Sequence, residues 1–212
     1  MSVSSPNASL SHARLLPATA LLASALVWGL AWLPLRALQG LGVHPLTTTA
    51  AAFTVMALGL ALLRPAAASS AAKTPALWAL ALATGVANGA FNWGVAIGDI
   101  VRVVLLFYLM PLWNALFARW LLAEKLSGAV ALRTLIALAG AMIVLKPGGT
   151  GMPWPASDGD WLGLAGGVGF ALCNVLLRRD AAQAATARAF AMFAGTALTT
   201  MAVAAGLIGA GA

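Results

Sequence analysis

Charged residues are scarce in this sequence, where they make up 8% of 212 residues and only five of them are acidic. A soluble globular domain has roughly 25% charged residues, so water is excluded as the main solvent. The single cysteine, Cys173, excludes an internal disulfide and stands in an apolar run, where a thiol behaves as a small hydrophobe. His12 and His44 both fall outside the apolar runs, so neither a haem site nor a nucleophile and histidine pair at membrane depth is supported.

Apolar residues, in contrast, make up 62% of the chain and are gathered into long runs. About 20 apolar residues in a helix cross a bilayer core some 30 Å thick, and seven runs come close to that length. They cover residues 16–38, 45–63, 76–97, 100–122, 128–145, 161–177 and 189–208. The sequence therefore predicts an all-α integral membrane protein of about seven transmembrane helices.

One connection is longer than the others and predicts the domain organisation. The link over residues 147–160 contains several glycines and prolines, which cannot continue a helix. We expect a cytoplasmic segment over residues 1–15, a five-helix unit over 16–146, an extracytoplasmic link over 147–160 and a partial second unit over 161–212. Because five helices precede the link, the second unit is expected to be inverted in the membrane.

The positions of the basic residues predict the orientation. The net charge is +7, but lysines and arginines are scattered singly between apolar runs and form no nucleic-acid-binding stripe. With the N-terminus in the cytoplasm, nine of them lie on the cytoplasmic side and three, Arg36, Arg102 and Lys146, lie outside. Since cytoplasmic loops are enriched in positive charge, this favours a multi-pass protein of the cell (inner) membrane with a cytoplasmic N-terminus. The alternative is a cleaved signal peptide ending near Ala23-Ser24-Ala25, although the apolar run continues through Leu35.

Several segments, in their order and spacing, resemble the EamA-like members of the drug/metabolite transporter superfamily. These segments are Trp28-Gly29, residues 106–111 followed by Ala123-Glu124-Lys125-Leu126, Ala139-Gly140-Ala141 with Ile143-Val144-Leu145, and residues 159–163 with Arg178-Arg179. The resemblance implies a ten-helix transporter of amino acids, metabolites or drug-like compounds, often outward, built from two inverted five-helix units. Such units can rock about a midplane site and expose it alternately to each side. Only about two helices follow the link, so we expect a truncated second repeat, which a second copy or a partner chain would complete.

Pro111 lies near the middle of the fourth run and predicts a kink, because proline lacks the amide hydrogen that a helix needs. Backbone carbonyls freed at membrane depth are tolerated against protein or a watery cavity. Tyr108, Trp113 and Asn114 are therefore candidate cavity residues. The alternative is a kink that serves packing alone.

Asn88 and Asn92 are one helical turn apart, so their amides share a face of the third run. Such amides either contact a solute or hydrogen-bond to another helix. Trp28, far from the expected headgroup level, also needs a protein or cavity partner. Further candidate lining residues are Trp32, Trp93 and Asn174. The glycine pairs Gly85/Gly89, Gly94/Gly98 and Gly163/Gly167 have the spacing of close helix packing.

No acidic or basic residue lies in the middle of any run, and Asp99 and Glu124 stand at run ends. This pattern predicts a cavity for a neutral or amphipathic solute, with no metal, no cofactor and no dedicated proton relay. Asp158 and Asp160 are predicted to be solvated loop acids and not a cation site. The expected partners are a small solute and the lipid bilayer. The other function classes are an accessory or assembly subunit and, with less support, an intramembrane enzyme.

Overall fold

The computed structural model describes residues 7–125, 128–145 and 154–209. These residues form ten helices and no strand. The helices are α1 (Asn7–Leu30), α2 (Trp32–Gly40), α3 (Pro45–Leu63), α4 (Pro65–Lys73), α5 (Ala76–Ile97), α6 (Ile100–Phe107), α7 (Met110–Leu121), α8 (Gly128–Leu145), α9 (Asp158–Arg179) and α10 (Ala185–Gly209). The first half of the predicted link, residues 147–153, lies outside the described residues, and its last three residues form the start of α9.

Six helical stretches among the described residues are long and apolar enough to cross a bilayer. They are Pro17–Gly40, Pro45–Leu63, Ala76–Ile97, Ile100–Leu121, Asp158–Arg179 and Ala185–Gly209. The remaining predicted run is helix α8, which is 18 residues long. The predicted all-α membrane fold is confirmed.

Prolines divide two of the predicted spans. Pro34 has no amide hydrogen for the carbonyl of Leu30, four residues earlier, and the first span is broken between Leu30 and Trp32. Pro111 stands in the same relation to Phe107, where α6 ends before α7 begins at Met110. The predicted kink is thus present as a break between two shorter helices.

Side chains at three helix starts satisfy backbone amides that no helix turn can reach. The Asp99 carboxylate accepts a hydrogen bond from the Arg102 amide at the start of α6. Ser157 accepts one from the Asp160 amide at the start of α9, and His44 accepts one from Leu46 at the start of α3. Helices α6 and α9 pack side by side, and their starts lie at the same end of the bundle, where Arg102 contacts Asp160.

Helix α5 is the centre of the bundle and packs against both α9 and α10. The approach of α9 is close because glycines replace side chains: a methyl group at Gly163 would lie 2.6 Å from the Val103 carbonyl oxygen on α6. On α10, a methyl group at Gly195 would lie 2.4 Å from the Ala81 backbone. The three predicted glycine pairs all lie at such contacts, which confirms their packing role.

Polar groups gather at the two ends of the bundle. At one end Arg102 forms an ion pair with Asp160, and Arg36 donates hydrogen bonds to the carbonyls of Val95 and Gly98 at the end of α5. Arg36 and Arg102 are two of the three basic residues predicted to lie outside. Both have acceptors within the protein.

The opposite end carries the remaining described ion pairs. Arg178 contacts Glu124 at 3.0 Å, and Arg179 contacts Asp180 at 2.8 Å. Four tryptophans at or near helix ends are exposed, and tryptophan is typical of the membrane interface. They are Trp78, Trp120, Trp154 and Trp161.

Candidate functional site

A cavity of about 360 Å³ lies between α1, α2, α5 and α6. It is lined by Ala25, Trp28, Gly29, Ala31, Trp32, Phe91, Asn92, Val95, Ile100, Val104, Phe107 and Tyr108. None of these residues is charged. A cavity of this size, mostly apolar and with a few polar groups, is typical of small-molecule sites.

Aromatic side chains form one wall of the cavity. The ring of Phe91 lies 4.7 Å from that of Phe107 and 5.8 Å from that of Trp28. Phe107 also contacts Tyr108 and, behind the cavity, Phe170 on α9 at 5.3 Å. Tilted ring pairs at these distances are favourable, so α9 supports the aromatic wall from outside the cavity.

Asn92 supplies the amide of the cavity. Its Nδ2 donates a hydrogen bond to Thr49 Oγ1 at 3.2 Å, which ties α5 to α3. Thr49 is buried, and its hydroxyl donates a hydrogen bond to the Pro45 carbonyl. The Asn92 Oδ1 atom has no hydrogen-bond partner among the described residues, so an acceptor remains for a solute.

The structure separates the two asparagines that sequence spacing places on one face. Asn88 Nδ2 donates to the Thr84 carbonyl at 3.0 Å and to Thr196 Oγ1 on α10 at 3.4 Å. It therefore serves helix packing and does not line the cavity. Asn92, one turn further, packs toward α3 and reaches the cavity.

Four other predicted residues lie outside this cavity. Trp93 packs edge-on against His44 at 5.1 Å. Trp113 and Asn114 are on α7, and their Nε1 and Oδ1 atoms are buried without a hydrogen-bond partner among the described residues. Asn174 on α9 is half-buried and makes no hydrogen bond to a described residue. Of the predicted residues Trp28, Asn92, Trp113 and Asn114, only the first two line this cavity.

The carbonyl freed by Pro111 faces protein. A methyl group at Gly167 on α9 would lie 2.6 Å from the Phe107 carbonyl oxygen, so the glycine allows α9 to cover this backbone group. The break nevertheless turns Tyr108 into the cavity. The kink therefore serves both packing and the cavity wall.

The prediction for Asp160 was wrong. Asp160 lies in the first turn of α9 and is 1% exposed, where its carboxylate accepts bonds from Arg102 and from the Ala156 amide. A buried carboxylate needs such partners. The glycine and proline content of the link indicated a solvated loop. The one sequence signal against this was Ser157, three residues before Asp160, which is typical of a helix start and would place Asp160 in the first turn.

The sequence did not predict Phe91 and Phe107 as cavity residues. Each directly precedes a residue that it did identify, Asn92 and Tyr108. Their place on the cavity wall depends on how α5 and α6 cross, which local sequence does not specify.

The fold and the cavity define a multi-pass helical membrane protein with an uncharged, aromatic site inside its spans. The EamA-like transporter family matches residues 15–146, more than half of the chain. The protein therefore belongs to the EamA-like transporter family, a family of membrane transporters, as its sequence resemblance suggested. No curated protein and no solved structure gives a match.

Proposed function

We propose that the chain moves neutral or amphipathic small solutes, such as amino acids, metabolites or drug-like compounds, across the membrane by alternating access. The solute would occupy the cavity between α1, α2, α5 and α6. The observation that carries this proposal is the convergence of Trp28, Trp32, Asn92 and Tyr108 on one cavity within the spans of a transporter-family protein.

Among these solutes the lining favours uncharged compounds over zwitterions such as amino acids. A charged group inside the membrane is costly unless it is paired, and none of the residues that line the cavity can neutralise one. The aromatic wall would contact an apolar part of the solute, and Asn92 and Tyr108 would bind its polar part. We infer no coupling group within the cavity, and export across the inner membrane is the direction that the family resemblance suggests.

The second candidate is a packing or assembly subunit. It is supported by the position of Asn88, Trp113 and Asn114, whose polar groups lie against protein and away from the cavity. Transport and packing predict different roles for the two asparagines of α5. This pair therefore provides a matched test.

The test uses purified protein in liposomes, loaded in turn with labelled L-phenylalanine, uridine and chloramphenicol. Replacing Asn92 with Leu is expected to lower the initial transport rate of the accepted solute about fivefold, the effect of one lost hydrogen bond of about 1 kcal/mol. Asn88→Leu, one turn away, should lower thermal stability but leave the rate per folded molecule unchanged.

Two outcomes would contradict the proposal. One is a wild-type chain that carries none of the three solutes, which would favour the assembly subunit. The other is an equal loss of rate in both asparagine variants at equal abundance. Size-exclusion profiles before reconstitution check that each variant is folded.

A further inference from the structure

A second concave surface lies next to the cavity. It is a groove of about 620 Å³ between α1 and α2 on one side and α3 on the other. Its α1 and α2 wall includes the exposed side chains Leu26, Leu30 and Leu33. The groove thus opens on the apolar surface of the bundle, where lipid would surround a membrane protein.

The groove and the cavity share two lining residues. Ala31, at the break between α1 and α2, borders both spaces, and so does Asn92 on α5. The two spaces therefore lie next to each other, separated by these two residues. We refer to the region between Ala31 and Asn92 as the portal.

Polar groups lie along one wall of the groove. Thr48 and Thr49 line it from α3, where the Thr48 Oγ1 atom is buried without a hydrogen-bond partner among the described residues and Thr49 Oγ1 is bonded to Pro45 and Asn92. The Asn92 Oδ1 atom at the portal is likewise without a partner there. Polar atoms at membrane depth are costly when unpaired, so a molecule with one hydrogen-bonding group and an apolar body fits this wall.

The opposite wall is loosely held. Only 6% of the apolar window of the span Pro17–Gly40 is buried. The break at Ala31, next to Pro34, removes the continuous hydrogen bonds that would stiffen this span. A small displacement of α1 against α2 would therefore widen the portal while the Arg36 hydrogen bonds keep α2 attached to the end of α5.

We propose that uncharged amphipathic small molecules pass laterally between the lipid and the cavity through the portal formed by Ala31 and Asn92. The site of passage rests on the two adjoining spaces, and its role in transport rests on the proposed function. A phospholipid is disfavoured as the occupant because no charged side chain lines either space to meet its phosphate.

The portal can be tested by photolabelling the full chain in lipid vesicles with 3-azioctanol, an uncharged alcohol with an apolar body. In the wild type, mass spectrometry should find label on α3 around Thr48, in the groove, and on α6 around Val104, in the cavity. In Ala31→Phe, the larger side chain should block the portal. Label on α6 should then fall to the level measured without irradiation, while label on α3 remains.

The matched control is Ala51→Phe, an exposed alanine on the side of α3 that faces α10. It should leave both labels unchanged. A second variant, Asn92→Leu, keeps the portal open but removes its amide and should lower the α6 label about fivefold, the effect of one hydrogen bond. Size-exclusion profiles confirm folding of every variant.

Undiminished α6 labelling in Ala31→Phe would overturn the proposal, because the cavity would then fill from elsewhere. Absence of α3 label together with a crosslink between two chains across the groove would also overturn it, since a second copy would cover the groove. Labelling reports occupancy and not movement across the membrane. A failed transport assay with intact labelling would therefore reject the proposed function but not the portal.

Discussion

Helices α5 and α9 are closely packed in the bundle, whereas the span formed by α1 and α2 is mostly exposed, although the sequences of the two regions are similarly apolar. Half of the apolar window is buried in α5 and in α9, against 6% in the first span. Glycines let α9 approach the backbones of α5 and α6, and a buried ion pair joins α6 to α9. The first span is joined to α5 by the Arg36 hydrogen bonds and by the Trp28–Phe91 ring contact, and not by close glycine contacts, since Gly29 in α1 has open space around it.

This difference divides the cavity into a fixed wall and a loose wall. The fixed wall carries Phe91, Asn92 and Phe107, and α9 supports it from behind through Phe170. The loose wall carries Trp28 and Trp32. Close packing transmits strain and resists deformation, so any opening of the cavity should involve the loose wall. Three perturbations test this comparison.

The largest effect is expected at the ion pair that holds the fixed wall. Replacing Arg102 with Ala leaves the Asp160 carboxylate, which is 1% exposed, without its cation. Because the Arg102 side chain is 28% exposed and only the carboxylate is buried, we expect a cost of about 3 kcal/mol, the lower end of the range for breaking a buried pair. We expect a large drop in melting temperature, measured by light scattering in detergent.

The matched control is Arg178→Ala at the other end of α9. Its pair with Glu124 is half exposed on both sides, and exposed pairs contribute less than about 1 kcal/mol. Equal stability losses in Arg102→Ala and Arg178→Ala would show that the fixed wall does not depend on the buried pair.

A smaller but clear effect is expected from filling the helix contact itself. In Gly163→Ala the added methyl group would lie 2.6 Å from the Val103 carbonyl, so the backbones of α6 and α9 must separate. Such overpacking costs about 2 kcal/mol. The control is Gly59→Ala on α3, where nothing lies within 4 Å and alanine favours the helix. The melting temperature should fall in Gly163→Ala and rise slightly in Gly59→Ala. A Gly163→Ala variant as stable as the wild type would contradict the close contact.

The sequence could predict the helices but not which of their faces would form the cavity. Apolar length and proline position were enough to place the spans and the break before Pro111, since both act locally. Asn88 and Asn92 have different roles because Asn88 lies beside Thr196 on α10, whereas Asn92 lies beside Thr49 on α3. Those neighbours depend on packing between helices far apart in sequence, as does the burial of Asp160 against Arg102.

The smallest stability effect, and the sharpest test of the loose wall, is expected for Pro34→Ala. Alanine supplies an amide hydrogen for the Leu30 carbonyl and removes the ring, so α1 and α2 can join into one helix. Stability should change by less than about 1 kcal/mol because most side chains of this span are exposed. Hydrogen exchange in lipid nanodiscs should be faster over residues 25–38 than in α9 for the wild type, and the variant should slow it.

Pro17→Ala is the matched control, since Pro17 lies in the same span but within the continuous helix α1. It should leave exchange over residues 25–38 unchanged. Transport by Pro34→Ala should fall if movement at Ala31 opens the loose wall. Equal exchange in the first span and in α9 of the wild type would remove the contrast between the walls, because weak packing would then not produce greater local opening.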